Sequence, residues 1–184
     1  METGVTMAKM KLEQFIDKYG KDIYSFCCYL SKNTQEADDL YQDSFVKILS
    51  GLGFPEEDED AKNLMLSVAV RLWKDKKRKF ARRKRILEEE YIPQKMLADY
   101  GNGGDSPEEY IIQSKATEYI RQCIDRLPEK MKLVILLYYM EHRKISDIAK
   151  VLHIPPGTVK SRLHEAKLKI AKELQGNNEG GLGE

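Results

Sequence analysis

The segment that decides the fold runs from Leu127 to Leu174 and reads LPEKMKLVILLYYMEHRKISDIAKVLHIPPGTVKSRLHEAKLKIAKEL. Apolar residues recur in it at helical spacing and predict two helices before residue 155. These residues are Val134, Leu137, Tyr138, Ile148, Val151 and Leu152. A Pro-Pro-Gly-Thr turn at Pro155 to Thr158 ends the second helix, and Thr158 is predicted to cap or open a third, basic helix. This is the layout of a helix-turn-helix, whose last helix can enter the major groove of DNA. A helical bundle with one solvated basic face is the alternative.

The part of the chain before this segment also shows helical periodicity. An apolar stripe from Leu12 to Leu30 predicts one helix, and Asn33 with Glu36 can cap a second. A third helix is predicted to begin near Asp60 or Ala61. It is apolar at first and then basic, with ten Lys or Arg residues and one acid between residues 71 and 85. Such a run of charge points to an electropositive surface in a chain whose net charge is only +1.

These patterns predict an all-α protein with two small helical domains joined by a flexible linker, the second domain being a helix-turn-helix. The first domain is placed at residues 8–90 and the second at 106–175, where Ser106, Pro107 and Glu109 form a helix start. The linker, 91–105, contains the Gly101–Gly104 run and has no periodicity. Residues 176–184, rich in Gly and Asn, are predicted to be a disordered tail.

Composition excludes several classes of protein. No apolar run approaches the roughly 18 residues of a membrane helix, and the N-terminus lacks the apolar core of a signal peptide. We therefore expect a cytoplasmic protein without membrane insertion. Cys27 and Cys28 are adjacent and Cys123 is remote, which fits neither a disulfide framework nor zinc-ligand spacing. With no phosphate-binding Gly loop and no plausible nucleophile–His pair, we expect no metal, no cofactor, no small-molecule substrate and no enzyme activity.

Three parts of the chain resemble bacterial sigma factors of the extracytoplasmic-function (ECF) subfamily, within the sigma-70 family. Leu127–Lys130, Ile148–Ala149 and Gly157–Leu163 resemble the promoter-binding C-terminal domain. Ala37–Phe45 resembles the helix by which sigma factors grip the clamp of core RNA polymerase. The third predicted helix and its preceding loop, 51–63, resemble the element that reads and opens the promoter −10 region. The resemblance covers most of the chain.

The resemblance implies a factor that binds core RNA polymerase and directs promoter-specific transcription initiation. It implies core RNA polymerase and promoter DNA as partners, and an anti-sigma factor that masks both domains. The implied core-polymerase-binding residues are Asp38, Asp39, Gln42 and Asp43. The implied −10 DNA-binding residues are Phe54, Lys62, Asn63, Arg71, Lys74, Lys77 and Arg78. The implied −35 DNA-binding residues are Thr158, Lys160, Ser161, Arg162, His164, Glu165 and Lys167.

The chain departs from the family pattern at several positions. Leu64 stands where the family often has Trp, and Arg71 where it often has Asn, so the −10 preference stays open. Phe54 can stack on an extruded base or anchor the core, and both readings stay open. Glu165 replaces a common Arg, and His153 a common Gly at a helix end. A DNA-binding regulator without sigma function is the rival hypothesis, but it gives no reason for the acidic helix or the basic one.

Overall fold

The computed structural model describes residues 2–31, 33–52, 55, 57–87 and 118–179. Regular structure in these ranges is helical, with no strand, and it forms two compact units along the chain. The predicted all-α class with two small helical domains is therefore confirmed. The predicted linker, 91–105, and the helix start at Ser106 lie outside the described residues.

The described residues of the N-terminal unit form three α-helices that pack against one another. They are α1 (Glu2–Leu30), α2 (Thr34–Lys47) and α3 (Asp58–Leu87). Ile23, Phe26, Leu40, Met65 and Leu66 fill the space between them and are at most 1% exposed. Burying side chains of this size stabilises the folded unit by about 1.5–3 kcal/mol each, so the core holds the three helices in a fixed register.

The ends of α2 and α3 reflect local chemistry. The side chain of Asn33 accepts a hydrogen bond from the backbone N–H of Glu36 at 2.8 Å, which is the predicted cap of α2. After Lys47 the chain continues as a π-helical turn, Ile48–Leu52. Helix α3 begins at Asp58, two or three residues before the predicted start at Asp60 or Ala61, because acidic residues in the first turn favour the positive end of the helix dipole. Lys18 of α1 also pairs with Asp58 at 2.7 Å.

The described residues of the C-terminal unit form four α-helices. Residues 118–126 are helical and form the described part of α4. Helix α5 (Glu129–Ile135) continues as a π-helical turn, Leu136–Met140, and is followed by α6 (Ile145–Leu152) and α7 (Pro156–Glu179). Helix α5 packs on α7, and the hydroxyl of Tyr119 on α4 donates to the backbone oxygen of Glu173 on α7 at 3.0 Å.

Helix α7 runs to Glu179, four residues past the predicted domain boundary at 175 and into the segment predicted to be a disordered tail. Gly176 and two Asn residues lower the helix propensity there. Extending an existing helix by one residue is nevertheless far easier than nucleating a new one. The composition of residues 176–179 was therefore a poor guide to their backbone.

Candidate nucleic-acid and protein interfaces

The four residues predicted to bind core polymerase lie together on two turns of α2. Asp39, Gln42 and Asp43 are exposed, and Asp38 is partly buried. The opposite side of the helix is buried through Ala37, Leu40, Ser44 and Phe45. Because the buried residues hold α2 against the core, the opposite side of the helix points outward. We call the four residues on that side the acidic face: Asp38, Asp39, Gln42 and Asp43.

Side chains from all three helices orient the acidic face. The hydroxyl of Tyr24 on α1 donates to Oδ1 of Asp38 at 2.6 Å, and this hydrogen bond, helped by burial, raises the pKa of Tyr24. Nε2 of Gln35 donates to Oδ1 of Asp39 at 3.2 Å. Nζ of Lys76 on α3 lies 3.1 Å from Oδ2 of Asp43. The carboxylates are thus held in defined positions before any partner binds. The sequence prediction missed Tyr24, since no local pattern pairs it with a residue 14 positions away.

The predicted DNA-binding residues on the second half of α3 lie at its surface. Arg71, Lys77 and Arg78 are exposed, and Lys74 is partly buried. Arg78 pairs with Asp75 of the same helix, and this contact holds the pKa of the Asp75 carboxyl below its usual value. The sequence contains eight Lys or Arg residues and no acid from 76 to 85. Like charges on successive turns destabilise a free helix, so this segment concentrates positive charge that a polyanionic partner would offset.

Two predicted −10 residues lie inside the N-terminal unit instead. Lys62 is 4% exposed and Asn63 is 9% exposed. The ammonium of Lys62 lies 3.4 Å from Asp22 and 5.1 Å from the ring centre of Tyr19. The Lys62 charge is therefore used within the domain, where leaving it unpaired would be costly. Phe54, the third residue predicted near this loop, lies outside the described residues.

The connection between α6 and α7 begins with a residue in the left-handed backbone conformation. His153 adopts the left-handed conformation with φ of 51°, and the N–H of Ile154 donates to the carbonyl of Ala149 at 3.0 Å. This is the Schellman pattern that ends a helix, with His in the position that glycine usually takes. Helix α7 then begins at Pro156, where proline is favoured because the first N–H has no helical partner. Of the predicted Pro-Pro-Gly-Thr turn, only Pro155 precedes the helix. Of the two predicted roles of Thr158, capping or opening the helix, the structure has the second, because Thr158 lies in the first helical turn.

Helix α7 has a buried stripe and an opposite exposed stripe. Val159, Leu163 and Ala166 are at most 6% exposed and pack into the unit. The residues predicted to contact −35 DNA fall mostly outside this stripe. Lys160, Ser161, His164, Glu165 and Lys167 are exposed, whereas Thr158 and Arg162 are partly buried.

Although Lys167 is exposed, contacts within the protein make its ammonium less available to bind DNA. Its ammonium lies 5.5 Å from the ring centre of Tyr138 and 5.4 Å from that of Tyr139. A hydrogen bond with Tyr139 raises the pKa of Lys167. A cation over two aromatic rings gains electrostatic attraction from both. Lys167 thus contacts the π-helical turn that extends α5, in addition to any contact with phosphate.

The described residues contain no group of three or more His, Cys, Asp or Glu side chains that could hold a metal ion. Cys27, Cys28 and Cys123 are buried and form no disulfide, and burial raises the pKa of the Cys123 thiol. No helix in the described part of the chain is long and apolar enough to cross a membrane.

Comparison with family models finds two matches, one in each half of the chain. The model described as sigma-70 region 2 matches residues 15–84, which span most of α1 to α3. The model described as sigma-70 region 4 matches residues 117–170, which span α4 to the middle of α7.

Curated relatives resemble the chain over nearly its whole length. It is 28% identical to the ECF RNA polymerase sigma factor SigW of Bacillus subtilis over 163 residues, covering 87% of each chain. It is 27% identical to the RNA polymerase sigma-H factor of Pseudomonas aeruginosa, covering 91% of this chain and 88% of the relative. A third relative, the RNA polymerase sigma factor SigV of Bacillus subtilis, is 26% identical over 173 residues, covering 90% of this chain and 94% of the relative.

A solved structure shares the fold. It is the sigma factor RpoE of Bartonella quintana in complex with the anti-sigma factor NepR, with a TM-score of 0.73 and 17% sequence identity. The match covers 90% of this chain and 97% of that one.

Proposed function

Because the chain belongs to the sigma-70 family, as a member of its ECF subfamily, we propose that its two helical units bind separate elements of one promoter. Members of this family bind core RNA polymerase and direct it to promoters. They are transcription initiation factors rather than enzymes. The observation that carries the proposal is that each family match falls on one helical unit. Each unit also presents a charged surface that suits the binding partner proposed for it.

The acidic face of α2 is the proposed docking site for core polymerase. Its exposed members, Asp39, Gln42 and Asp43, offer carboxylate and amide oxygens to a basic partner through charge-assisted hydrogen bonds. Tyr24 and Lys76 support the proposal, because a pre-oriented carboxylate loses less side-chain entropy when a partner binds.

The basic half of α3 is the proposed contact with the promoter −10 region. Arg71, Lys74, Lys77 and Arg78 can neutralise phosphates along the strand. Phe54 remains a proposed base contact. Lys62 and Asn63, at 4% and 9% exposure, would touch DNA only if the start of α3 opened. We therefore propose that these two side chains stabilise the N-terminal unit.

The first turns of α7 are the proposed −35 contact. Lys160, Ser161, His164 and Glu165 lie on the exposed stripe within about three turns of the helix start, where a recognition helix reaches base edges. Thr158, Arg162 and Lys167 are proposed at the edges of this contact, as phosphate neighbours. The rival, a DNA-binding regulator without polymerase, would need this surface and would leave the acidic face without a partner.

We place the protein in the cytoplasm with RNA polymerase, without membrane insertion, enzyme activity or a cofactor. The proposed domains are residues 8–90 and 106–175, with a linker at 91–105 and a tail at 176–184 that α7 enters. An anti-sigma factor is a further proposed partner. The fold shared with a sigma factor that was crystallised with its anti-sigma factor supports this.

The affinity of the full chain for core RNA polymerase tests the proposal. Asp39→Arg with Gln42→Ala removes both the charge and the amide from the acidic face, and should weaken binding at least tenfold. Both side chains are exposed, so melting should barely change. Asp17→Arg is the matched control, since Asp17 is an exposed acid on α1. Equal affinity of the double variant and wild type would overturn the docking site.

A further inference from the structure

All three histidines of the chain lie in its C-terminal unit. They are His142, His153 and His164, and each of them is exposed. Histidine is the side chain whose charge ordinarily changes between about pH 5 and 8. A fall in pH therefore adds positive charge to the unit proposed to bind the −35 element, whereas the N-terminal unit has no histidine that could respond.

His164 shares a helix face with two of the proposed DNA contacts. Lys160, His164 and Lys167 are spaced i, i+4 and i+7 on α7, which places them on one side of the helix, and all three are exposed. The other two histidines lie in turns, each with φ of 51°, and His142 precedes α6 while His153 precedes α7. His164 is thus the histidine that would meet DNA together with two lysines.

The charged neighbours of His164 are these two lysines, about one turn away in each direction along α7. Glu165, the next residue, is rotated by about 100° around the helix axis and does not share this face. The described side chains of other elements that reach α7 do so at Lys167 and at Glu173, and they are Tyr138, Tyr139, Tyr119, Cys123 and Arg126. Within the described residues, the His164 side chain makes no hydrogen bond, ion pair or ring contact. A proton on its imidazole therefore has no acidic partner in this part of the protein.

We propose that binding of the −35 element is coupled to proton uptake by His164, so that the chain binds this element more tightly as pH falls from about 8 to 6. The protonated imidazole donates from both ring nitrogens, and a charge-assisted hydrogen bond to an acceptor on DNA is stronger than a neutral one. Because DNA supplies the acceptor that the free protein lacks, binding and protonation strengthen each other. The inference rests on the proposed function, since it deepens the −35 contact proposed for α7.

The test measures the affinity of the full chain for a duplex selected from a random library, at several salt concentrations between about pH 6 and 8. Affinity of the wild type should rise by about 3- to 100-fold from pH 8 to 6, the upper figure being the limit for one proton over two pH units. The slope of log affinity against log salt should also steepen by about 0.9, because the protonated ring adds one cation to the interface. A base preference that changes with pH at one −35 position would identify a base as the acceptor, and an unchanged preference would identify a phosphate.

Two substitutions fix the charge at position 164. His164→Gln stays neutral and should lose the pH dependence of both the affinity and the salt slope. His164→Lys stays charged, so at about pH 8 it should bind nearly as tightly as the wild type does at about pH 6. His142→Gln and His153→Gln are the matched controls, since they replace the same residue type at exposed positions away from this helix face, and they should keep the wild-type pH dependence.

Four results would overturn the coupling. They are a wild-type affinity that does not change with pH, no duplex binding by the wild type at low salt, an unchanged pH dependence in His164→Gln, or its loss in a control variant instead. Transcription with core polymerase at both pH values separates this inference from the proposed function. If the ratio of transcripts from wild type and His164→Gln is the same at both pH values, the coupling fails and the sigma function stands. If the wild type starts none, the proposed function itself fails.

Discussion

His153→Gly should stabilise the C-terminal unit. His153 holds the left-handed conformation at φ of 51°, where the Cβ of an L-residue approaches the following carbonyl at a cost of about 1–2 kcal/mol. Glycine removes this cost. Glycine also has more conformational freedom in the unfolded chain, which lowers the free energy of unfolding by about 0.4–1 kcal/mol. The expected net gain in the free energy of unfolding is therefore about 0.5–1 kcal/mol.

Calorimetry of the full chain measures this gain. In a unit of 60–100 residues, 1 kcal/mol shifts the melting temperature by about 4–8 °C, so the transition of the C-terminal unit should rise by about 2–8 °C. Trp73 lies in the N-terminal unit, and its fluorescence transition should stay in place. That transition serves as an internal control on the same molecule.

His153→Ala separates the backbone from the imidazole. Alanine removes the ring but keeps the Cβ, so it keeps the strain of the left-handed conformation. The glycine variant should exceed the alanine variant by about 1 kcal/mol, whatever the imidazole contributes. If the two variants melt at the same temperature, position 153 carries no backbone strain, and our account of the turn between α6 and α7 is wrong.

Three further predictions concern the proposed interfaces. Glu165→Arg should change the preferred base at one −35 position by about 1–3 kcal/mol, because Arg donates to guanine whereas a carboxylate accepts from cytosine; identical preferences in a −35 library selection would make Glu165 a bystander. Tyr24→Phe frees Asp38 and should weaken core binding several-fold. The raised pKa of Tyr24 also means that its stabilising contribution is full below about pH 10 and is lost as pH rises through the folded-state pKa. The phenylalanine variant should therefore unfold with a weaker dependence on alkaline pH, and an unchanged profile would refute this. Replacing Lys77, Arg78 and Arg82 by neutral residues should reduce the slope of log affinity against log salt by about 0.7–0.9 per lost phosphate contact. An unchanged slope would mean that this face of α3 contacts only solvent.

Periodicity was enough to predict the fold class because the cores are built from regular stripes. The apolar spacing on α2 and α7 matches the residues that the structure buries, such as Leu40 and Leu163. Asn33 caps α2 as its residue type predicted. These features depend on residues within a few positions of one another, which is why sequence alone reveals them.

Features that depend on distant residues could not be predicted in this way. Lys62 looked like a DNA contact, but a partner 40 positions away, Asp22, holds its charge inside the unit. Tyr24 orients Asp38 across two helices, and no local pattern marks it. The sequence left open whether Thr158 caps or opens α7, because Pro156 suits the first position of a helix as well as a turn.

Mapping of transcription start sites shows whether the chain acts as a sigma factor. Core RNA polymerase would transcribe a library of promoter-containing DNA with and without the full chain, and the 5′ ends of the transcripts would be sequenced. If the chain directs initiation, new start sites should depend on the chain, share −10 and −35 sequences, and disappear with Asp39→Arg and Gln42→Ala. Identical start sites with and without the chain, while the chain still binds duplex DNA, would contradict it and favour a regulator without sigma function.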